Sequence, residues 1–158
     1  MKEFPYDLKE KLIGRFDFKA PEIANQVLKA GKEKELISMA LDPDPLLSNR
    51  AMWIVGHCSL IDYDRIKPFH SKLINNLNND HLTHGVIRCT LSLFQKKTPP
   101  AKDESFLLDK CFDYIKNPTW AIAVRAFAIT TAFNIAKPYP ELLDELAAIL
   151  HHLTPSED

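Results

Sequence analysis

The side chains of this sequence that could do chemistry are three arginines at nearly even spacing, with a scatter of histidines and cysteines around them. Arg50, Arg88 and Arg125 lie in "SNRAMWIVG", "GVIRCTLSL" and "IAVRAFAIT", 38 and 37 residues apart. Each sits in an apolar pattern of helical period. A guanidinium buried there without partners would cost several kcal/mol, so its five donors need carboxylates, amides or carbonyls. For Arg125 the expected partners are the Asn117 turn or carbonyls ending the preceding arginine-bearing segment. By helical spacing Arg50, Trp53 and His57 project together, as do His84, Arg88 and Gln95, while around Arg125 the matching positions are Ala121, Ala128 and Ala132. Trp and Arg are the types most enriched at binding hot spots. The candidate binding surface is therefore Arg50, Trp53, His57, His84, Arg88, Gln95 and Arg125, with core or inter-repeat packing as the other role open to Trp53 and Trp120.

Other chemistry is thin. His81 and His84 could share a helical face with His57 nearby, but no HExxH or CxxC accompanies them, so no metal site is expected. Cys58, Cys89 and Cys111 are widely spaced within apolar patterns and read as small buried thiols in a reducing compartment. No Gly-rich phosphate loop or nucleophile elbow occurs, and no catalytic residue or cofactor is expected. The charged groups Asp62, Asp64 and Arg65, and Asp103 with Glu104, read as capping and dipole complementation at helix starts. His151 and His152 sit where a helix ends and suit its negative pole. "QKKTPPAK", residues 95–102, reads as a solvated basic loop whose lysines could touch a phosphate.

The elements that must position these residues are helices. Ile66, Phe69, His70, Leu73, Ile74 and Leu77 repeat at three-and-four spacing, and so do Leu142, Leu143, Leu146, Leu150 and Leu153. No stretch alternates as a strand would. Eleven prolines against four glycines cluster where helical patterns start or stop, and "DPDP", "NP" and "KPYP" read as helix starts. Pro68 fits less easily: either its helix begins near Lys67 or it bends there. An amphipathic helix and an Asp- or Asn-containing turn precede each arginine segment, so the unit is helix, turn, arginine-bearing helix, at a solenoid-like period.

That unit resembles the HEAT-type α-solenoid repeat, best at Asn117, Pro118, Val124, Arg125 and Ala126, fairly at Asp80, Ile87, Arg88 and Cys89, and more weakly at Asp44, Pro45, Arg50 and Ala51. The resemblance implies an all-α fold, a right-handed α-α superhelix of the HEAT/armadillo kind with about eight helices. It implies one domain: N-terminal helices over 1–31, repeats over 32–61, 62–100 and 101–137, and a capping helix over 138–153. It also implies that the arginines pair with turn residues in a ladder and that the arginine helices line a concave surface. The pattern through "AMWIVGH", "GVIRCTLSLFQ" and "CFDYIKNPTWAIAVRAFAI" is similar, too, to small bacterial HEAT-like proteins often labelled adenylosuccinate lyase. The flexible S-S-x-M-P-x-K-x-N loop of that lyase superfamily has no match in the chain.

Composition bounds the function. With 158 residues, 46% hydrophobic and 26% charged, the chain suits one folded domain. A net charge of −1 provides no whole-chain field for nucleic acid or anionic lipid. The first residues lack the continuous apolar run of a secretory signal, and no segment suggests a membrane span, so the cytoplasm is expected. The leading expectation is a non-enzymatic module binding a protein or peptide partner through the concave groove. Nucleic-acid binding, as in HEAT-like DNA glycosylases, ranks second and a lyase-type enzyme last. Phe4, Phe16 and Phe18, near a helix expected over 6–16, must pack on the first repeat or on another subunit.

Overall fold

The computed structural model describes residues 7–14 and 19–153, and among them every regular element is helical. The chain divides into two compact units, Met1–Thr90 and Leu91–Asp158. No helix among the described residues is long and apolar enough to cross a membrane. Phe4, Phe16 and Phe18 lie outside the described residues.

In the first unit α1 (Leu8–Ile13) is capped by Asp7, whose carboxylate accepts from the Glu10 N–H at 2.9 Å. Then α2 (Ala20–Ala30) carries Pro21 in its first turn, where the missing N–H is harmless. It ends at Gly31, whose φ of 68° lets the Gly31 and Lys32 N–H groups bond back to Leu28 and Val27. This turns the chain into α3 (Glu33–Ala40). The "DPDP" turn follows from two carboxylates: Asp42 accepts from the Asp44 N–H at 2.9 Å and Asp44 from the Leu46 N–H at 3.0 Å. Pro45 then opens α4 (Pro45–Ile61), as expected for a proline with an Asp cap before it. Apolar on most sides, α4 packs on α1, α2 and α3, burying Leu47, Ala51, Met52, Ile54, Val55 and Cys58. Each large side chain so buried stabilises the fold by about 1.5–3 kcal/mol.

Residues 63–78 resolve the question of Pro68. The helix begins ahead of the proline as α5 (Tyr63–Ile66), tightens to a 3₁₀ turn over Lys67–Phe69, resumes as α6 (His70–Asn75) and closes in a second 3₁₀ turn, Asn76–Asn78. The i→i+3 pattern accommodates a residue that cannot donate to the α-helical ladder. His70 is buried, edge-on to the Tyr63 ring at 5.2 Å. Next, α7 (His84–Ser92) starts at Thr83, whose hydroxyl accepts from the Val86 N–H and donates to Asn49 Oδ1 of α4 at 2.7 Å. Gly85 makes room at this junction, because a Cβ there would lie 2.3 Å from Asn49 Oδ1 and the Asn49 side chain would have to shift.

In the second unit a 3₁₀ turn, Ala101–Asp103, leads to α8 (Glu104–Lys116), which pairs with α9 (Ile122–Ala136), and α10 (Pro140–Leu153) packs on both. Pro140 opens its helix as expected, but Pro118 does not open α9. It sits in a turn closed by Asn117, whose side-chain oxygen accepts from the Thr119 N–H and hydroxyl at 3.0 and 2.8 Å, and the helix begins only at Ile122. The buried face of α9 includes two polar residues. Thr131 donates to the Leu91 carbonyl at 3.0 Å, and the Asn134 amide donates to the Phe94 and Lys97 carbonyls at 2.9 and 3.0 Å. These bonds satisfy the backbone where the chain leaves α7 and no regular element can.

Two tests follow from these junctions. Replacing Gly85→Ala should destabilise by about 1 kcal/mol in urea unfolding, although alanine is the better helix former. The cost should disappear when Asn49→Ala is added, because the clash is then gone. Burial, assisted by the Lys67 charge, lowers the His70 pKa from 6.5 to about 4. The unfolded chain therefore takes up this proton first as pH falls. Stability is full above pH 6.5 and declines toward pH 4, by up to about 3 kcal/mol, whereas His70→Leu should remove that part of the slope.

Candidate functional site

The expected site residues divide by what their side chains touch. Arg50, half-buried on α4, donates through Nη1 to the carbonyls of Leu12 and Gly14, at 2.5 and 2.8 Å, where α1 ends. Arg125 on α9 donates through Nε and Nη2 to the carbonyl of Ile115, at 3.2 and 2.9 Å, in the last turn of α8. The expected turn ladder is thus corrected. Arg125 bonds to a backbone carbonyl rather than to Asn117, which is engaged with Thr119, and that carbonyl belongs to α8. The physical reason is that the last four carbonyls of a helix lack partners and carry the negative end of its dipole, so a cation with several donors suits them.

Arg65 does the same and was not legible as such. Its sequence neighbours Asp62 and Asp64 suggest a local cluster, but Nη2 bonds to the Leu28 carbonyl at 3.2 Å, where α2 ends, and to the Glu33 carboxylate. Asp62 and Asp103 precede α5 and α8 without capping either through a side chain, and Asp103 is buried. The capping expected of these acids is therefore not what holds those helix starts.

Arg88 differs from both its counterparts. It is exposed on α7 and, among the described residues, lies against the thiol of Cys89, with no helix-end carbonyl bonded to it. His84, one turn earlier on the same face, is exposed as well. On α4, Trp53 is 39% exposed, with its ring 6.2 Å from that of half-buried His57. Leu46 and Leu60 stand seven residues to either side of Trp53 and are also exposed, so one apolar strip runs along the open side of α4. The first unit therefore holds Arg50, Trp53 and His57 on one helix and His84 and Arg88 on another that starts beside it at the Thr83 to Asn49 bond. Gln95 is half-buried and belongs, with Arg125, to the second unit. Trp120 packs edge-on against Tyr114 at 5.1 Å, the packing role.

Two of the three thiols are deeply buried and poorly suited to covalent chemistry. Burial, with the Glu33 carboxylate adding to it, pushes the Cys58 thiol up to about 12, and burial raises Cys111 further. Such thiols are not nucleophiles near neutral pH. Cys89, half-buried rather than fully buried, is raised by desolvation against the pull of Arg88. Among the described residues no group of three or more His, Cys, Asp or Glu could hold a metal ion. A cleft of about 200 Å³ between the turns at Asp42 and His81 is smaller than the usual small-molecule site.

The chain matches the HEAT repeat domain over residues 8–157 and belongs to that family. No curated protein and no solved structure matches it, so no relative's name supports the adenylosuccinate lyase label.

The two kinds of arginine should behave differently in unfolding experiments. Arg125→Ala removes a charged donor from a helix-end carbonyl and should cost about 1.5–3 kcal/mol. Arg88→Ala should stay within about 0.5 kcal/mol of the parent, since its head group is solvated.

Proposed function

We propose that this chain is a non-enzymatic interaction module that binds a segment of another protein. In the first unit the contacts are Arg50, Trp53 and His57 on α4 and His84 and Arg88 on α7; in the second unit, taken by itself, they are Arg125 on α9 and Gln95, which lies beyond the end of α7. Membership in the HEAT repeat domain family is consistent with a scaffold of this kind. We read the repeats as 32–61, 62–100 and 101–137. All three cysteines are free, which suits a reducing compartment, and we take the cytoplasm as its place.

The observation that carries this reading is the exposed strip Leu46, Trp53 and Leu60 on a helix whose other sides are already core. Burying those side chains against a partner would recover the hydrophobic stabilisation that the monomer leaves unused. An indole beside an imidazole also supplies large contact area at low conformational cost.

The test is affinity capture with the full-length chain, followed by mass spectrometry, in parallel with the Trp53→Ser, Leu60→Ser variant. Leu60 is 84% and Trp53 39% exposed, so the variant should remain folded, with its melting temperature lowered by about 2–6 °C. A specific partner should be retained by the parent and reduced about tenfold or more by the variant. Equal recovery on both would overturn the assignment of this face.

A further inference from the structure

Two turns of the first unit, one before α4 and one before α7, line a common cleft of about 200 Å³. Both are fixed by their own bonds. In the first, Asp42 and Asp44 accept from the Asp44 and Leu46 N–H groups, and Pro43 and Pro45 lock their own φ. In the second, the Asn79 N–H bonds to the Asn76 carbonyl at 3.0 Å, and Thr83 is tied to Asn49 of α4 at 2.7 Å. A cavity whose walls are already ordered loses little conformational entropy on being filled. Leu46, Trp53 and Leu60 are not among its lining residues, so it is a separate place on this unit.

The lining carries one carboxylate, Asp42, and no lysine or arginine. That carboxylate has taken one N–H, from Asp44 at 2.9 Å, and makes no ion pair among the described residues. Neutral acceptors share the cleft with it. The Asn79 amide donates to Asn76 Oδ1 at 2.8 Å, which leaves Asn79 Oδ1 as an acceptor and Asn76 Nδ2 as a donor. The buried Ser48 hydroxyl gives its proton to the Asp44 carbonyl at 3.0 Å and keeps its lone pairs. Thr83 is already engaged both ways, with Asn49 and with the Val86 N–H. His81 lines the cleft too, and a neutral imidazole brings one nitrogen of each kind, which favours neither sign of ligand. Leu41, Pro43, Pro45 and Leu82 supply the apolar part. An anion entering here would meet a carboxylate, and a purely apolar group would strip water from Asp42 without replacing it.

We propose that this cleft binds the side chain of an arginine presented by a partner protein. The guanidinium donates to the Asp42 carboxylate and to Asn79 Oδ1, and the aliphatic stem lies against the leucines and prolines. A guanidinium carries five donors in a planar fork and is more weakly hydrated than an ammonium, so it suits a carboxylate set among neutral acceptors better than a lysine does. Its stem covers apolar wall while the head stays polar. The volume suits one side chain rather than a whole cofactor. The inference rests on the protein-binding reading above for the source of the guanidinium and adds what the partner must carry. The cleft's choice of chemical group is measurable without that partner.

The experiment titrates the isotope-labelled full chain and follows its amide NMR signals, which register weak binding and assign it to residues. The probes are a tripeptide blocked at both ends with arginine at its centre, the same peptide with lysine, citrulline or glutamate there, and agmatine as a free alkylguanidine. Citrulline keeps the shape of arginine and loses its charge. The arginine peptide should move the Asp42, Asn79 and Thr83 signals saturably, with lysine about threefold or more weaker and citrulline about tenfold or more weaker. Asp42→Asn keeps an oxygen for the Asp44 N–H, so it should melt within about 2 °C of the parent while losing affinity for the arginine peptide about tenfold. Asn79→Asp adds a second carboxylate and should tighten that peptide about threefold or more, a gain that a purely structural role for the turn would not give. The Trp53→Ser, Leu60→Ser variant should bind it as the parent does, so failure of this site and failure of the Trp53 face are told apart. Citrulline, glutamate or lysine binding as tightly as arginine would overturn the proposal, as would an Asp42→Asn variant with full affinity, or no shift at the cleft with any probe. Agmatine held more tightly than the blocked arginine peptide would overturn the assignment to a protein side chain.

Discussion

Within each unit, a bond from a side chain in the middle of one helix to the carbonyls that end another carries the arrangement. A helix end buried in a stack of helices cannot rely on water for its last carbonyls. Here Arg50 serves the end of α1, Arg65 that of α2 and Arg125 that of α8. Thr131 and Asn134 extend the same solution to the last turn of α7, at Leu91, and to the irregular stretch after it, at Phe94 and Lys97. Each bond fixes the height at which one helix stops against the side of its neighbour. Apolar packing alone would set that register less tightly, because ridges and grooves allow several nearby fits.

The device also explains why an arginine tolerates so apolar a setting. Its stem packs among side chains while the head reaches backbone oxygens at the edge of the core, so the charge is met without a buried carboxylate. Arg88 occupies the corresponding sequence position without this bond, and its head remains exposed. One repeated residue thus has two fates, decided by whether a helix end lies within its reach. The same helices expose apolar residues that their own unit does not cover, Leu46, Trp53 and Leu60 on α4 and Ile122 and Phe133 on α9.

What the sequence determined by itself was local. Helical periodicity, the Asp44 and Pro45 start of α4 and the Pro140 start of α10 depend on residues within a turn of one another, and all are present as expected. The repeated arginines also marked the HEAT architecture correctly. Pro118 was misleading because a proline after Asn suits a turn as well as a helix start, and the Asn117 bonds to Thr119 select the turn. Only the tertiary structure decided where each guanidinium goes, that Arg65 leaves its acidic neighbours for α2, that Asn134 is buried and that Trp53 is not. The acceptors are main-chain carbonyls, which every residue possesses and no residue type announces. Which of them lies within reach depends on how two helices cross, so the sequence shows the donor and leaves the acceptor to the fold.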